Sequence, residues 1–269
     1  MLMFALPAAA QDYAREKRWA DEVVPGLVVG DAVWLETTAG RKFLAIHAKA
    51  DKPKGAVVIV HGIGVHPDHG VIGVLRAKLA DRGWTTLSIQ MPVQAADARS
   101  EAYYPALFPE AIDRIRVSAK WLVGKEGANV GIVSHSLGSW MTNAYFDETP
   151  DSPFRAWACL GLTGGYSWGA YFSPRPILDV YGESDLPPSV DAAWRRRLTL
   201  ATAPAGSRSS SRFQRDWVRT TRSFGVGGSS AATEADSTDR NASTNSRRPN
   251  GVDRPCSADN GRRSDRSRC

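Results

Sequence analysis

Residues 129–141 read NVGIVSHSLGSWM. Asn129–Val133 is a short apolar run, the pattern of a strand buried on both faces. Leu137–Phe146 then takes up a helical pattern. Between them, Ser134-His135-Ser136-Leu137-Gly138 must turn a strand directly into a helix. Such a turn strains its central residue, and the residues two places to either side must be small to clear the adjoining strand and helix. Gly138 meets that demand, and Ser134 stands where this G-x-S-x-G pattern has its first glycine. The turn would place Ser136 at the amino end of a helix, where backbone N–H groups favour a developing negative charge. A serine there can also be an ordinary helix cap. The strand–turn–helix context points instead to a nucleophile on an elbow.

The surrounding chain alternates strands and helices. Asp31–Glu36 and Lys42–His47 read as a hairpin, with Gly40 in the turn. Ala56–Val60 (AVVIV) is a second fully buried strand. Val71–Asp81 has Ile72, Leu75 and Leu79 on one helical face and ends at Gly83. Trp84–Ile89 is a strand, and Pro109–Val123 a helix with Ile112, Ile115, Ala119 and Leu122 in one stripe. Ala156–Leu160 and Pro176–Tyr181 are strands, and Ser189–Leu200 is a last helix. Repeated β-α-β units with apolar strands predict a mostly parallel, doubly wound sheet in a three-layer α/β/α sandwich. Chemistry in such sheets sits on loops at the carboxyl ends of the strands.

Two more of those loops carry candidate residues. His61-Gly62-Ile63-Gly64 directly follows AVVIV. In the α/β-hydrolase arrangement that HGIG and SHSLG resemble, this loop and the residue after the nucleophile donate the two N–H groups of an oxyanion hole, which would here be the backbones of Ile63 and Leu137. His61, Gly62, Gly64, Ser134, His135 and Gly138 would support the loop and the elbow. Tyr181-Gly182-Glu183-Ser184-Asp185 follows the PILDV strand, where a carboxylate would orient a catalytic histidine. Asp185 is the candidate, and Asp179, within the strand, is the weaker one.

HGIG, SHSLG and YGESD, in that order and spacing, resemble the α/β-hydrolases. The stretches DYAREKRWADEVVPGLVVGDAVWLE, HGIGVHPDHGVIGVLR, LSIQMPVQAAD and SHSLGSWM further resemble an uncharacterised family of exported bacterial α/β-hydrolase-like proteins. The resemblance runs from about residue 11 to about residue 206. It implies an eight-stranded type of sheet and serine-dependent hydrolysis of a small-molecule ester or acyl substrate, without cofactor.

The chain departs from that pattern in one respect. Its five histidines, His47, His61, His66, His69 and His135, all precede Ser136, and none follows Asp185. The resemblance places the general base on a loop after the last strand, and this chain is expected to lack both. Without its base a serine is a weak nucleophile near neutral pH. Two function classes therefore stand: a serine hydrolase, inactive or crippled as written, and a non-catalytic binding protein on the same fold.

The composition changes where the resemblance stops. Residues 205–269 hold 13 Arg, 13 Ser and 7 Asp plus Glu, with no Leu, Ile, Met, Lys or His. The whole chain has 34 Lys plus Arg and 28 Asp plus Glu, so residues 1–204 hold 21 of each and are neutral. Such a Ser/Arg-rich segment cannot bury enough apolar surface to offset its chain entropy, and a disordered tail is expected. A frame-shifted translation gives the same mixture. Starting each codon on the third base of the codons for Val218–Ser223 permits Ala-Asp-His-Ser. A Gly/Ala-Asp-His stretch is what the resembled family carries at its catalytic histidine.

Met1–Ala10 (MLMFALPAAA) ends on small residues before Gln11 and reads as the close of a truncated signal peptide, with export to the periplasm as the expectation and a cytoplasmic location as the alternative. No window approaches the length of a membrane span. Three cysteines, Cys159, Cys256 and Cys269, exclude a disulfide scaffold. The spacing of His61, His66 and His69 fits no standard metal site. The neutral first 204 residues give no sign of a nucleic-acid partner. Trp140, Trp157, Tyr166 and Trp168 lie near strand ends, where they could line an acyl pocket, with core packing the plainer reading of Trp157. Cys159 reads as an inert core thiol. Oligomeric state is not legible.

Overall fold

Ala56–Val60 forms strand β3, and every one of its residues is buried. In the computed structural model, which describes residues 11–127, 129–202 and 210–214, this strand lies in the middle of an eight-stranded sheet. The other strands are β1 (Asp31–Glu36), β2 (Lys42–Ala48), β4 (Thr85–Ile89), β5 (Val130–His135), β6 (Phe154–Leu160), β7 (Ile177–Gly182) and β8 (Ser210–Gln214). Their order is β1-β2-β4-β3-β5-β6-β7-β8. The hairpin β1–β2 joins β4 antiparallel, and every pairing from β4 to β8 is parallel. The expected three-layer, mostly parallel sheet is what the chain forms.

The helices are α1 (Tyr13–Val23), α2 (Gly70–Asp81), α3 (Phe108–Glu126), α4 (Leu137–Glu148), the single turn α5 (Trp168–Tyr171) and α6 (Pro187–Ala201). Alternation along β3 divides the core. Val58 and Val60 join the main cluster with Ile112 and Ile115 of α3 and Met141 and Tyr145 of α4. Val57 and Ile59 pack against Ile72 of α2 on the other face. Helices α2 and α3 follow strands that step in opposite directions across the sheet. The right-handed crossover rule therefore puts them on opposite faces.

Coverage of the α2 face is incomplete. Beyond α2, a groove of about 370 Å³ runs over β5, β6 and β7, lined among others by Val133, Ala156, Ala158 and Leu178. Leu178 is an exposed large apolar residue within a strand. Parallel sheets normally bury both faces, and no helix among the described residues covers this stretch.

The absence of a last strand needs correction. Ser210–Gln214, inside the segment expected to be tail, pairs parallel with β7, from Leu178 opposite Ser210 to Gly182 opposite Gln214. The physical reason is that pairing uses backbone N–H and C=O groups. An open strand edge accepts a segment of almost any composition. The readings of Met1–Ala10 and of the rest of the tail fall outside the described residues. All described residues belong to the first of two compact units, Met1–Gly225, and none to the second, Val226–Cys269.

Candidate functional site

Ser136 joins β5 to α4 with φ 53° and ψ −122°. Among the described residues it is the only non-glycine with positive φ. A conformation of this kind costs about 1–3 kcal/mol and persists only where the surroundings enforce it. The Ser136 N–H donates to the Leu160 carbonyl at 2.8 Å, which ties the turn to the end of β6. The Ser136 carbonyl accepts from the N–H of Ser139 at 2.8 Å, starting the helix. Ser134 is buried: its hydroxyl accepts from the Trp157 indole at 2.8 Å and donates to Ser139 Oγ at 3.1 Å. Leu137 opens α4, so its N–H has no carbonyl of its own helix to bond.

The loop after β3 packs directly on this elbow. A Cβ on Gly62 would lie 3.2 Å from both Ser136 Cβ and His135 Nδ1. His61 anchors the loop from within. Its Nε2 accepts the Met91 N–H at 2.8 Å, which leaves Nδ1 to carry the proton and donate to the Gly62 carbonyl, also at 2.8 Å. Burial lowers the His61 pKa to about 3, so the ring is neutral. Gly64 has φ 65°, and its carbonyl accepts from Arg15 Nη2 at 3.2 Å. Arg15 Nη1 also donates to the Gln94 carbonyl at 2.8 Å, so α1 braces two loops at once.

Asp185 lies past the end of β7. Its carboxylate accepts from the Leu186 N–H at 2.8 Å and, more loosely, from the Gly182 N–H and Ser189 Oγ at 3.5 Å. Gly161, at the end of β6 with φ 64°, makes room for it: a Cβ there would lie 3.3 Å from Asp185 Oδ2. Asp185, Gly161, Gly182 and His135 line one small pocket at the carboxyl edge of the sheet. Burial lowers the His135 pKa, and the Asp185 carboxylate opposes that shift. Ser136 and Asp185 follow the carboxyl ends of β5 and β7, and it is His135, next to Ser136 in the chain, that lines this pocket with Asp185.

Asp179 has a different task. It is fully buried and accepts from Arg196 Nε at 2.8 Å and Nη2 at 3.4 Å, pairing β7 with α6. Of the four aromatics at strand ends, Trp140 stays near Ser136, one turn along α4, with its indole donating to Thr163 Oγ1 at 2.6 Å. Trp157 is core, and Tyr166 packs on it. Trp168, on α5, is exposed. Cys159 is buried, and burial pushes its thiol pKa up. Among the described residues no group of three or more His, Cys, Asp or Glu side chains could hold a metal.

Several supports were not read from the sequence. Arg15 and Gly161 are two. A third is Arg114, whose buried guanidinium donates to Glu16, Glu110 and the Gln90 carbonyl and so locks α1 and α3 beneath the His61 loop. Asp12, which accepts the Arg15 N–H at 2.8 Å as the cap of α1, was the local signal for that helix.

Comparison with known proteins bears on this geometry. Residues 11–114 match a family model described as a protein of unknown function, DUF3530. A search of curated protein sequences finds no match. Solved structures with similar folds include a cold-adapted esterase from an Arctic intertidal metagenomic library (15% identity, 68% of this chain and 83% of that chain, TM-score 0.51). A Francisella virulence factor, BioJ, matches at 13% identity over 74% of this chain and 80% of its own, with TM-score 0.53. Dienelactone hydrolase from Anabaena variabilis matches at 18% identity over 68% and 85%, with TM-score 0.50. The chain has the α/β-hydrolase fold.

Proposed function

We propose that this protein is a serine hydrolase-like protein whose catalytic site is incomplete in the chain as written. The observation that carries the proposal is the strained backbone of Ser136 at a strand-to-helix turn. A folded chain sustains such strain where the turn is needed to present a side chain. In this reading Ser136 Oγ attacks the carbonyl of a small ester or acyl substrate. The N–H groups of Ile63 and Leu137 hold the oxygen as it becomes negative. Asp185 holds the acid position, facing where a histidine would stand. The esterase and hydrolase names among proteins of similar fold are consistent with this chemistry.

The missing part is the general base. His61 is neutral with both ring nitrogens engaged. His135 directly precedes the nucleophile, and its ring lies in the pocket beside Asp185. No histidine follows Asp185. A site with its hole and binding surfaces but no base retains roughly 10³–10⁴-fold acceleration over water. Two observations favour a shifted reading frame beyond about residue 205 as the cause. The alternate frame permits Ala-Asp-His over Val218–Thr221, and an apolar face over β5–β7 that no helix among the described residues covers is what a lost covering helix would leave. Export, read from Met1–Ala10, belongs to the same proposal. The missing base also favours a second reading, a non-catalytic binding protein on this fold.

The test is hydrolysis of nitrophenyl acetate by the chain as written. Little or no turnover is expected, with Ser136→Ala indistinguishable from the parent. Robust turnover that Ser136→Ala removes would mean that another base completes the site.

A further inference from the structure

We infer that α6 and the adjoining turn α5 form a surface that docks on an anionic lipid bilayer. Two elements build one patch. Trp168 of α5 and Phe172 just after it are 72% and 61% exposed and stack face to face at 5.6 Å and 15°. On α6, Trp194 and Leu198 are 61% and 57% exposed. The two elements meet where Tyr171 Oη donates to the Thr202 carbonyl at 3.3 Å. Trp168, Tyr171, Thr199 and Thr202 line a shared depression of about 320 Å³. Four large apolar side chains are thus exposed on two elements that meet at this depression. Clustered apolar exposure of this kind marks an interaction surface.

The charges choose the occupant. At about 100° per residue, Trp194, Leu198 and Ala201 fall on one ridge of α6, with Arg197 on one flank and Arg195 on the other. Both arginines are exposed. The Arg195 guanidinium lies over the Trp194 ring, 5.4 Å from its centre. Asp191, the one acidic residue of α6, is exposed on the same stripe one turn before Trp194, so the apolar part of the ridge begins at Trp194. An apolar ridge carrying Trp and Leu with one exposed arginine on each flank is the arrangement of a helix lying in a membrane surface. The ridge enters the acyl boundary, and the guanidinium groups reach outward to phosphate. The inner face of α6 stays fixed to the sheet by the Arg196–Asp179 pair, so the ridge is held outward. Among the described residues no helix is long and apolar enough to cross a membrane, so the contact is peripheral.

Vesicle flotation of the full chain tests this, with phosphatidylcholine alone and with phosphatidylcholine containing phosphatidylglycerol. The Arg-rich segment beyond residue 204 is common to every variant and is screened beyond about 3 Å at about 1 M salt. At high salt, Trp194→Ser with Leu198→Ser is expected to lower the partition coefficient at least about tenfold, because two large apolar side chains no longer insert. Arg195→Gln with Arg197→Gln is expected to lower it at low salt only, and only on the anionic vesicles. Binding by the Trp194/Leu198 variant equal to the parent would overturn the inference. So would a variant that changes oligomeric state without changing vesicle binding, which would make the patch a contact between copies of the chain. Failure of the parent to bind either vesicle overturns it as well.

Discussion

Gly138 of α4 lies so close to the loop after β3 that a Cβ on it would come within 2.3 Å of the His61 carbonyl oxygen. The elbow and the loop are therefore one packed unit. The contact is with backbone, which cannot swing aside. Gly138→Ala is expected to cost about 1–3 kcal/mol or more, through strain spread over both segments. Gly131→Ala serves as the comparison, since a Cβ there would meet only the Ala156 carbonyl, at an ordinary 3.5 Å. Urea unfolding of the two variants should show a clear loss for Gly138→Ala alone. Equal midpoints would contradict the packing of elbow on loop.

Asp179 and Arg196 are both fully buried and bonded to each other. Asp179→Ala leaves a buried guanidinium without its carboxylate and is expected to cost about 3–5 kcal/mol, whereas replacing both residues by leucine should cost much less. Additive losses in the double variant would show that the pair is not coupled.

His61 sets a pH dependence. Its folded pKa of about 3 lies below the ordinary histidine value of about 6.5. The unfolded chain therefore binds a proton that the folded chain refuses. The contribution to stability is fully present above about pH 6.5 and is lost as pH falls toward 3, at up to about 1.4 kcal/mol per pH unit. His135, whose pKa burial also lowers, adds to the same slope. Stability measured from pH 7 to 4 should fall more gently in His61→Gln, by about one proton. An unchanged slope would mean that His61 is already solvated.

Local demands on the backbone are what made the site readable. SHSLG and HGIG need small residues at fixed places, and the structure puts Gly138 and Gly62 against neighbouring backbone and side chains there. Asp185 could be placed past the end of a strand because the apolar run before it marks β7. The long-range supports were not legible. Arg114 meets Glu16 across 98 residues of sequence, and nothing local marks either as a partner. The strand at Ser210–Gln214 was not legible because SSRFQ lacks the apolar run that marks the inner strands.

The gene itself can be read. The nucleotide sequence from about codon 204 onward is expected to encode, in the shifted frame, a β-branched strand over about Ser210–Gln214, a histidine near Thr220 and then an amphipathic helix. Such a helix would have the apolar stripe needed to cover Val133, Ala158 and Leu178. Stop codons before the histidine in that frame would rule out the frameshift and leave the bare face as a property of the written chain.

The central claim is that Ser136 is a nucleophile waiting for its base. The most direct measurement is nitrophenyl acetate hydrolysis by the protein translated in the restored frame, beside its Ser136→Ala variant and the chain as written. The account predicts turnover in the restored protein at least about a hundredfold above the written chain, since a positioned base contributes about 10²–10⁴-fold. It predicts that Ser136→Ala removes that gain. A restored protein with the histidine in place and no Ser136-dependent turnover on this or other short esters would contradict it.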